Sequence, residues 1–154
     1  MALMTVYHGS GDVVAAPEIR VGRYTKDFGP GFYCTCIRRQ AQEWAMQHTT
    51  PTVSTYSVQI SPDLSILEFE GMTEEWLDFI IACRSGRPHG YDIVTGPMAN
   101  HQIASFVCGY QNGSLSREQF RVLAELDHPT HQITFCSSQA LKCLTFITSE
   151  KVTL

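Results

Sequence analysis

Three short stretches hold the polar and aromatic residues whose types and spacing could do chemistry. The first, Tyr7-His8-Gly9-Ser10, puts a histidine at the end of a β-like run and just before a glycine. An imidazole there can hydrogen-bond a ligand hydroxyl, and the glycine lets a ligand approach the backbone closely. Taken alone, a strand-end histidine is more often a plain surface or core residue. The second is Asp27-Phe28-Gly29-Pro30-Gly31-Phe32-Tyr33-Cys34-Thr35. Its two glycines around a proline make a tight bend that delivers two aromatic rings into a strand. Strand alternation sends Phe32 and Tyr33 to opposite faces, so one can be core while the other faces a pocket. Trp44 follows in the next element, and two rings across a gap clamp a flat ring, above all a flat cation. The competing reading makes both rings core. In the third stretch, His131-Gln132-Ile133-Thr134-Phe135-Cys136, Ile133 and Phe135 share one face and Gln132 and Thr134 the other. The plain reading of Gln132 is an exposed strand residue.

The elements that must position these residues follow from periodicity. Thr5 to His8 is a short β-like entry. Residues 11–31 have many Gly, Pro and charged residues and no clear period, which reads as a long loop, and such loops are usually functional. Gly31 to Thr35 reads as a strand, and 37–48 as a helix from the spacing of Ile37, Ala41, Trp44, Ala45 and His48. Tyr56, Val58 and Ile60 alternate as a strand, and Leu64 to Phe69 is a second candidate. Thr73 can cap a helix that runs to about Arg84 and stops at Gly86, with Glu74 and Glu75 in its first turn. Asp92 to Thr95 is a short strand, and 99–109 is helical. Ser116 and Gln119 form a capping box for a helix carrying Phe120, Leu123 and Leu126, ended by Asp127, His128 and Pro129. Gln132 to Cys136 is a strand. Ser137 or Ser138 caps a short helix, and Thr145 to Thr148 closes with a strand. Strands and helices alternate without regular βαβ units, so the expected class is α+β with a mostly antiparallel sheet.

The chain has 154 residues, 44% hydrophobic and 17% charged, with a formal net charge of −4. That length suits one domain over 1–154 and can bury a core without disulfides or metal. Net acidity argues against a nucleic-acid binder that works by bulk charge. Residues 1–48 nevertheless carry +1 and the remainder −5, which favours the first third for an anionic ligand. The six cysteines lack C-x-x-C spacing, so no zinc site is expected; they read as small core or edge residues of a reduced protein. The N-terminus has no signal-peptide pattern and no apolar run reaches a membrane span, so a cytoplasmic protein without membrane partners is expected.

Taken together and in order, the three stretches resemble the ADP-ribosyltransferase superfamily, of the group with a His–Tyr–Glu-type signature. His8-Gly9-Ser10 is similar to that group's first motif and Phe28-Gly29-Pro30-Gly31-Phe32-Tyr33 to its second. Trp44 stands where a second stacking aromatic is common, and Ala41 near a small-residue position. Closer still is a small bacterial family long filed as a domain of unknown function and often toxin-like. Its pattern is matched by Tyr7-His8-Gly9-Ser10, Asp27-Phe28-Gly29, Gly31-Phe32-Tyr33, Gln40-Ala41 and Trp44-Ala45. It continues through Glu75-Trp76-Leu77, Phe79, Tyr91-Asp92-Ile93-Val94, Gly96-Pro97 and Asn100. It ends with Gln132-Ile133, Phe135, Ala140-Leu141, Leu144 and Phe146. The resemblance covers nearly the whole chain and implies a split β-sandwich with NAD in a central cleft.

Carried over position by position, the resemblance implies that His8 hydrogen-bonds ribose hydroxyls of the adenosine half. The Gly9 backbone holds the nicotinamide carboxamide, and Tyr33 and Trp44 stack on the cationic ring. Ser10, Gly31, Phe32 and Ala41 belong to the same binding motifs. Arg20, Arg23 or Lys26 could meet the pyrophosphate, an expectation from charge rather than from a motif. The implied reaction breaks the N-glycosidic bond through an oxocarbenium-like state, and no metal takes part. One departure stands out: Gln132 matches the position of the signature glutamate. An amide can hold a hydroxyl but supplies no full negative charge. Slower or mono-ADP-ribosyl transfer is therefore expected rather than polymer synthesis, with His8, Tyr33 and Gln132 as the catalytic set and loss of activity as the alternative. Asp92 and Glu68 are carboxylates that could compensate.

Three functions compete. One is transfer of ADP-ribose to a macromolecular acceptor, protein or nucleic acid, as the toxin of a toxin–antitoxin pair with a small antitoxin partner. Another is NAD glycohydrolysis. The third is a non-catalytic module that binds NAD, ADP-ribose or a protein. The aromatic pair and His8 favour the first two, and Gln132 the third.

Overall fold

A computed structural model describes residues 4–20, 26–99, 105, 108–120 and 130–153. Seven strands among them form two sheets. The first sheet orders β1 (Met4–Ser10), β3 (Thr52–Val58) and β7 (Leu144–Lys151) as β1-β3-β7, antiparallel throughout. The second sheet contains β2 (Phe32–Cys34), β4 (Ile66–Glu68), β5 (Ile93–Gly96) and β6 (Gln132–Phe135) in the order β2-β6-β5-β4. Only the β4–β5 pair is parallel. The class is therefore mixed α+β with mostly antiparallel sheets.

Alternation along the strands builds the layers. Val6, Tyr56 and Val58 of the first sheet meet Phe32, Cys34, Ile93, Ile133 and Phe135 of the second in one buried cluster. The other face of the second sheet, with Tyr33 and Val94, packs on Phe28, Phe120 and the apolar side of α2 (Glu74–Arg84), which contributes Trp76, Leu77 and Ile80. Thr73 Oγ1 accepts from the Trp76 N–H at 3.2 Å, a cap that stabilises the helix by about 1 kcal/mol. On the outer face of the first sheet, α1 (Arg38–Ala45) lays Ala41 and Ala45 against Val53 and Tyr7. The short α3 (Ser138–Leu141) is capped by Ser137, whose Oγ accepts from the Ala140 N–H.

Among the described residues one backbone bridge ties the two sheets. Tyr7 and Thr35 exchange backbone hydrogen bonds of 2.8 and 2.9 Å, bridging β1 to the end of β2. Beyond that bridge the strands part. Tyr7 spends its backbone groups on the β2 side. Alternation then turns the N–H and C=O of Gly9 toward the same side, into the space the parting strands leave.

Several element limits differ from expectation. β1 runs on through Ser10, and β7 extends on both sides of 145–148. β3 starts at Thr52 and ends at Val58, earlier than the Tyr56-to-Ile60 alternation suggests, because Thr52 to Ser54 are buried between β1 and β7. Every residue of β6 is buried, so Gln132 is an interior residue, not the exposed strand position its polarity suggests. The reason is that β6 is a central strand, covered on both edges by β2 and β5 and on both faces. The box at Ser116 and Gln119 forms reciprocally at 2.8 and 3.1 Å. Leu123, Leu126, Asp127, His128, Pro129 and most of 99–109, including Asn100, lie outside the described residues. No described helix is long and apolar enough to cross a membrane.

Candidate functional site

Where β1 and β2 part, a cleft of about 330 Å³ opens. It is lined by His8 and Gly9 from β1, Tyr33 from β2, Trp44 from α1 and Gln132 from the start of β6. Lys26, Asp27, Arg84 and Met98 complete most of the wall. Residues from widely separated parts of the chain thus meet at one place, at the end of two diverging sheets.

His8 sits at the fork. Its Nδ1 is 2.6 Å from the Tyr33 carbonyl oxygen, and its ring stacks on Phe32 at 4.3 Å between centroids. A carbonyl only accepts, so Nδ1 carries the hydrogen. Burial pushes the imidazole down to about 4, and the nearby charge of Arg20 and Lys26 acts in the same direction. At neutral pH the ring is uncharged with Nε2 bare, and Nε2 is a hydrogen-bond acceptor.

Tyr33 contributes its ring, not its hydroxyl. The OH donates to the Gly29 carbonyl at 2.6 Å and accepts from the Phe28 N–H at 2.9 Å, which stitches the glycine bend to β2. Burial raises its ionisation far above the ordinary tyrosine range. The ammonium of Lys26 lies 5.0 Å from the centre of the Tyr33 ring, so this aromatic face accepts a cation. Burial and the charge of Arg20 both lower the Lys26 ammonium.

Trp44 is half-buried and donates its indole N–H to the sulfur of Met98 at 3.1 Å. The helix that carries it is pinned by Gln40. Gln40 Nε2 donates to the His131 carbonyl and its Oε1 accepts from the His131 N–H at 3.1 Å. One amide thus completes both backbone groups of the residue before Gln132, which fixes α1 and the start of β6 in register.

The sequence motifs point to less of the acidic side of the cleft. Asp27 is only 7% exposed, and its carboxylate takes four N–H groups. Arg84 Nε and Nη2 lie 3.1 and 2.5 Å from Oδ1. The Ala99 N–H and Gln132 Nε2 lie 2.8 and 3.1 Å from Oδ2. Neither Asp92 nor Glu68 does this work. Asp92 faces Ser65 and Ser137 at the entry to β5, and the Ser137 hydroxyl, followed by the Ser65 N–H, holds its carboxyl below the ordinary range. Glu68 is exposed on β4. The signal for Asp27 is its place at the head of the Asp27-Phe28-Gly29 run. Its partner Arg84 comes 57 residues later, beyond any local pattern.

Other expected site residues support the cleft without lining it. Phe32 is core beneath His8, and Ala41 is buried under α1. Gly31 lets β2 approach β6, since a Cβ there would fall 2.6 Å from Thr134 Cγ2. Ser10 turns its hydroxyl to the Asp12 carbonyl, and Arg20 is exposed with its backbone bridged to Gly31. Arg23 lies outside the described residues. For Gly9 the expected reason is corrected: a Cβ would stand 2.0 Å from the Ala41 carbonyl, so helix α1, not a ligand, takes the side-chain space. The thiol of Cys34 is buried and that of Cys36 exposed beyond β2, so the two do not share an environment.

No curated protein and no solved structure matches the sequence. The family described as a protein of unknown function, DUF3990, matches residues 4–146. That span takes in β1, the glycine bend, α1, α2 and the strand that begins at Gln132, so the chain belongs to the DUF3990 family.

Proposed function

We propose that the chain is an NAD-dependent mono-ADP-ribosyltransferase built as a split β-sandwich, with a macromolecular acceptor. The observation that supports this reading best is the convergence of His8, Gly9, Tyr33, Trp44 and Gln132 on one cleft. These residues come from separate stretches of sequence that the resemblance assigns to a single site. The cleft's volume of about 330 Å³ is at the lower end of the ligand-site range, of a size for the nicotinamide–ribose end of NAD rather than the whole molecule.

The residues divide the work by chemistry. The bare Nε2 of His8 accepts a ribose hydroxyl. The Gly9 N–H and C=O, both turned into the fork, match the acceptor and donor of a carboxamide. Tyr33 and Trp44 offer faces to a flat cation, and Lys26 meets a pyrophosphate. Bond cleavage sends the C–N electron pair into the pyridinium, which leaves as neutral nicotinamide. An acceptor nucleophile then bonds to C1 and gives up a proton. Tyr33 and Trp44 favour the cationic ring, and an acceptor at position 132 favours the electron-poor sugar. The family resemblance adds a cytoplasmic toxin held by a small antitoxin as the biological setting.

Incubation of the protein with a lysate and with NAD labelled separately in its adenosine and nicotinamide halves tests the proposal. The expected result is adenosine label on protein or nucleic acid and nicotinamide label released free. Release without labelled acceptor would make the chain a glycohydrolase. Neither event would remove the enzymatic reading and leave a binding module.

A further inference from the structure

Gln132 Nε2 lies 3.1 Å from Asp27 Oδ2 and 3.3 Å from the Pro97 carbonyl oxygen. Both partners accept and neither can donate, so the nitrogen end of the amide must face them. The amide therefore has one orientation, with Oε1 turned away from Asp27. Among the described residues the side-chain hydrogen bonds of Gln132 all run from Nε2, and none reaches Oε1. Among the described residues the sole buried side-chain oxygen or nitrogen without a partner is Thr134 Oγ1. Oε1 is therefore open to the cleft that Gln132 lines.

Asp27 is itself immobilised. Arg84 grips Oδ1 with two N–H groups, and the Ala99 N–H holds Oδ2 beside the amide. Helix α2, the 97–99 segment and the glycine bend all converge on this one carboxylate.

We infer that Asp27 is a positioning residue that locks and polarises the Gln132 amide, so that its carbonyl oxygen accepts a ribose hydroxyl where a carboxylate would otherwise serve. This rests on the proposed NAD reading. The amide passes part of the Asp27 charge to the cleft: one N–H binds the carboxylate, the other faces the Pro97 carbonyl, and electron density shifts toward Oε1. The same geometry accounts for Gln at this position. A glutamate here would set a second carboxylate about 3 Å from Asp27, and two carboxylates so close cannot both ionise. The negative charge has moved one residue back from the substrate.

The test compares Gln132→Glu, Asp27→Asn and the double variant with the parent. Its first arm needs no NAD: thermal unfolding is followed from pH 4.5 to 7.5. In Gln132→Glu the new carboxyl holds its proton to higher pH than an ordinary glutamate. Its folded-state value is raised, so its stabilising contribution is greatest at low pH and is lost as pH rises through that value. The melting temperature of Gln132→Glu should therefore fall relative to parent as pH rises, and the double variant, with an amide facing the carboxylate, should lose that dependence. Parallel melting curves for Gln132→Glu and parent across the range would overturn the inference. The second arm measures nicotinamide release. Asp27→Asn should lower kcat at least tenfold with KM little changed, Gln132→Glu should be no faster than parent, and the double variant should recover. A Gln132→Glu variant faster than parent with Asp27 in place would also overturn it. If the parent releases no nicotinamide, the NAD reading fails, and the unfolding arm still decides whether Asp27 and position 132 are coupled as described.

Discussion

His8 owes its chemistry to its neighbours. Phe32 covers one face, the Tyr33 carbonyl fixes the hydrogen on Nδ1, and burial keeps the ring neutral. An imidazole with a folded value of about 4 against an ordinary 6.5 binds fewer protons folded than unfolded. Its contribution to stability is complete above pH 6.5 and is lost as pH falls toward 4, at about 1.4 kcal/mol per pH unit inside that window. Denaturant unfolding at pH 7, 5.5 and 4.5 should show the parent losing ground to His8→Gln as pH drops. A constant difference between the two would contradict a buried neutral imidazole. At this scale the sequence revealed residue types better than reasons. The resemblance groups His8, Tyr33 and Trp44, and the three do line one cleft, while Phe32 and Tyr33 take opposite faces. Asp27 heads a motif that does not reveal its role, because its partners Arg84, Ala99 and Gln132 are far along the chain. The reason for Gly9 lies in a helix backbone that no sequence pattern places above it.

Helix α1 determines whether the residues of the fork form a site. It is short, has no side-chain cap and rests on small residues, Ala41 and Ala45, against β1 and β3. Its position comes from Gln40, which binds both backbone groups of His131, and from the absence of a side chain at Gly9. Gln40→Ala should cost about 2–3 kcal/mol in urea unfolding, since it leaves a His131 N–H and C=O without partners. A loss below about 0.5 kcal/mol would show that the amide does not hold α1 to β6. Helix α2 was readable almost to the residue because its start and stop are local: Thr73 caps it and Gly86, at φ 86°, ends it. β3 starts several residues before the alternation at Tyr56, Val58 and Ile60 because its first half is buried by partners on both edges, which period-two alternation does not register.

At the scale of the molecule, two antiparallel-dominated sheets are bridged at Tyr7 and Thr35 and separate beyond that pair, and the separation makes the cleft. The chain is acidic overall, yet Lys26 and Arg84 bring two cations to the cleft wall against one carboxylate, Asp27. Lys26 comes from the less acidic first third of the sequence and Arg84 from the end of α2. The fold class was legible from the mixture of alternating and helical periods. The fork was not, since it depends on where two strands stop pairing, and strand ends carry no residue signature here. The most direct measurement of the central claim is nicotinamide release from NAD by the purified parent and by Trp44→Ala. Trp44 is half-buried and its removal spares the core, unlike Tyr33, whose ring and hydroxyl hold the glycine bend. The parent should release nicotinamide in proportion to enzyme, and loss of one aromatic face should slow Trp44→Ala about tenfold while its unfolding midpoint stays close to parent. No release by the parent, or an unchanged rate in Trp44→Ala, would contradict an NAD-cleaving cleft at this fork.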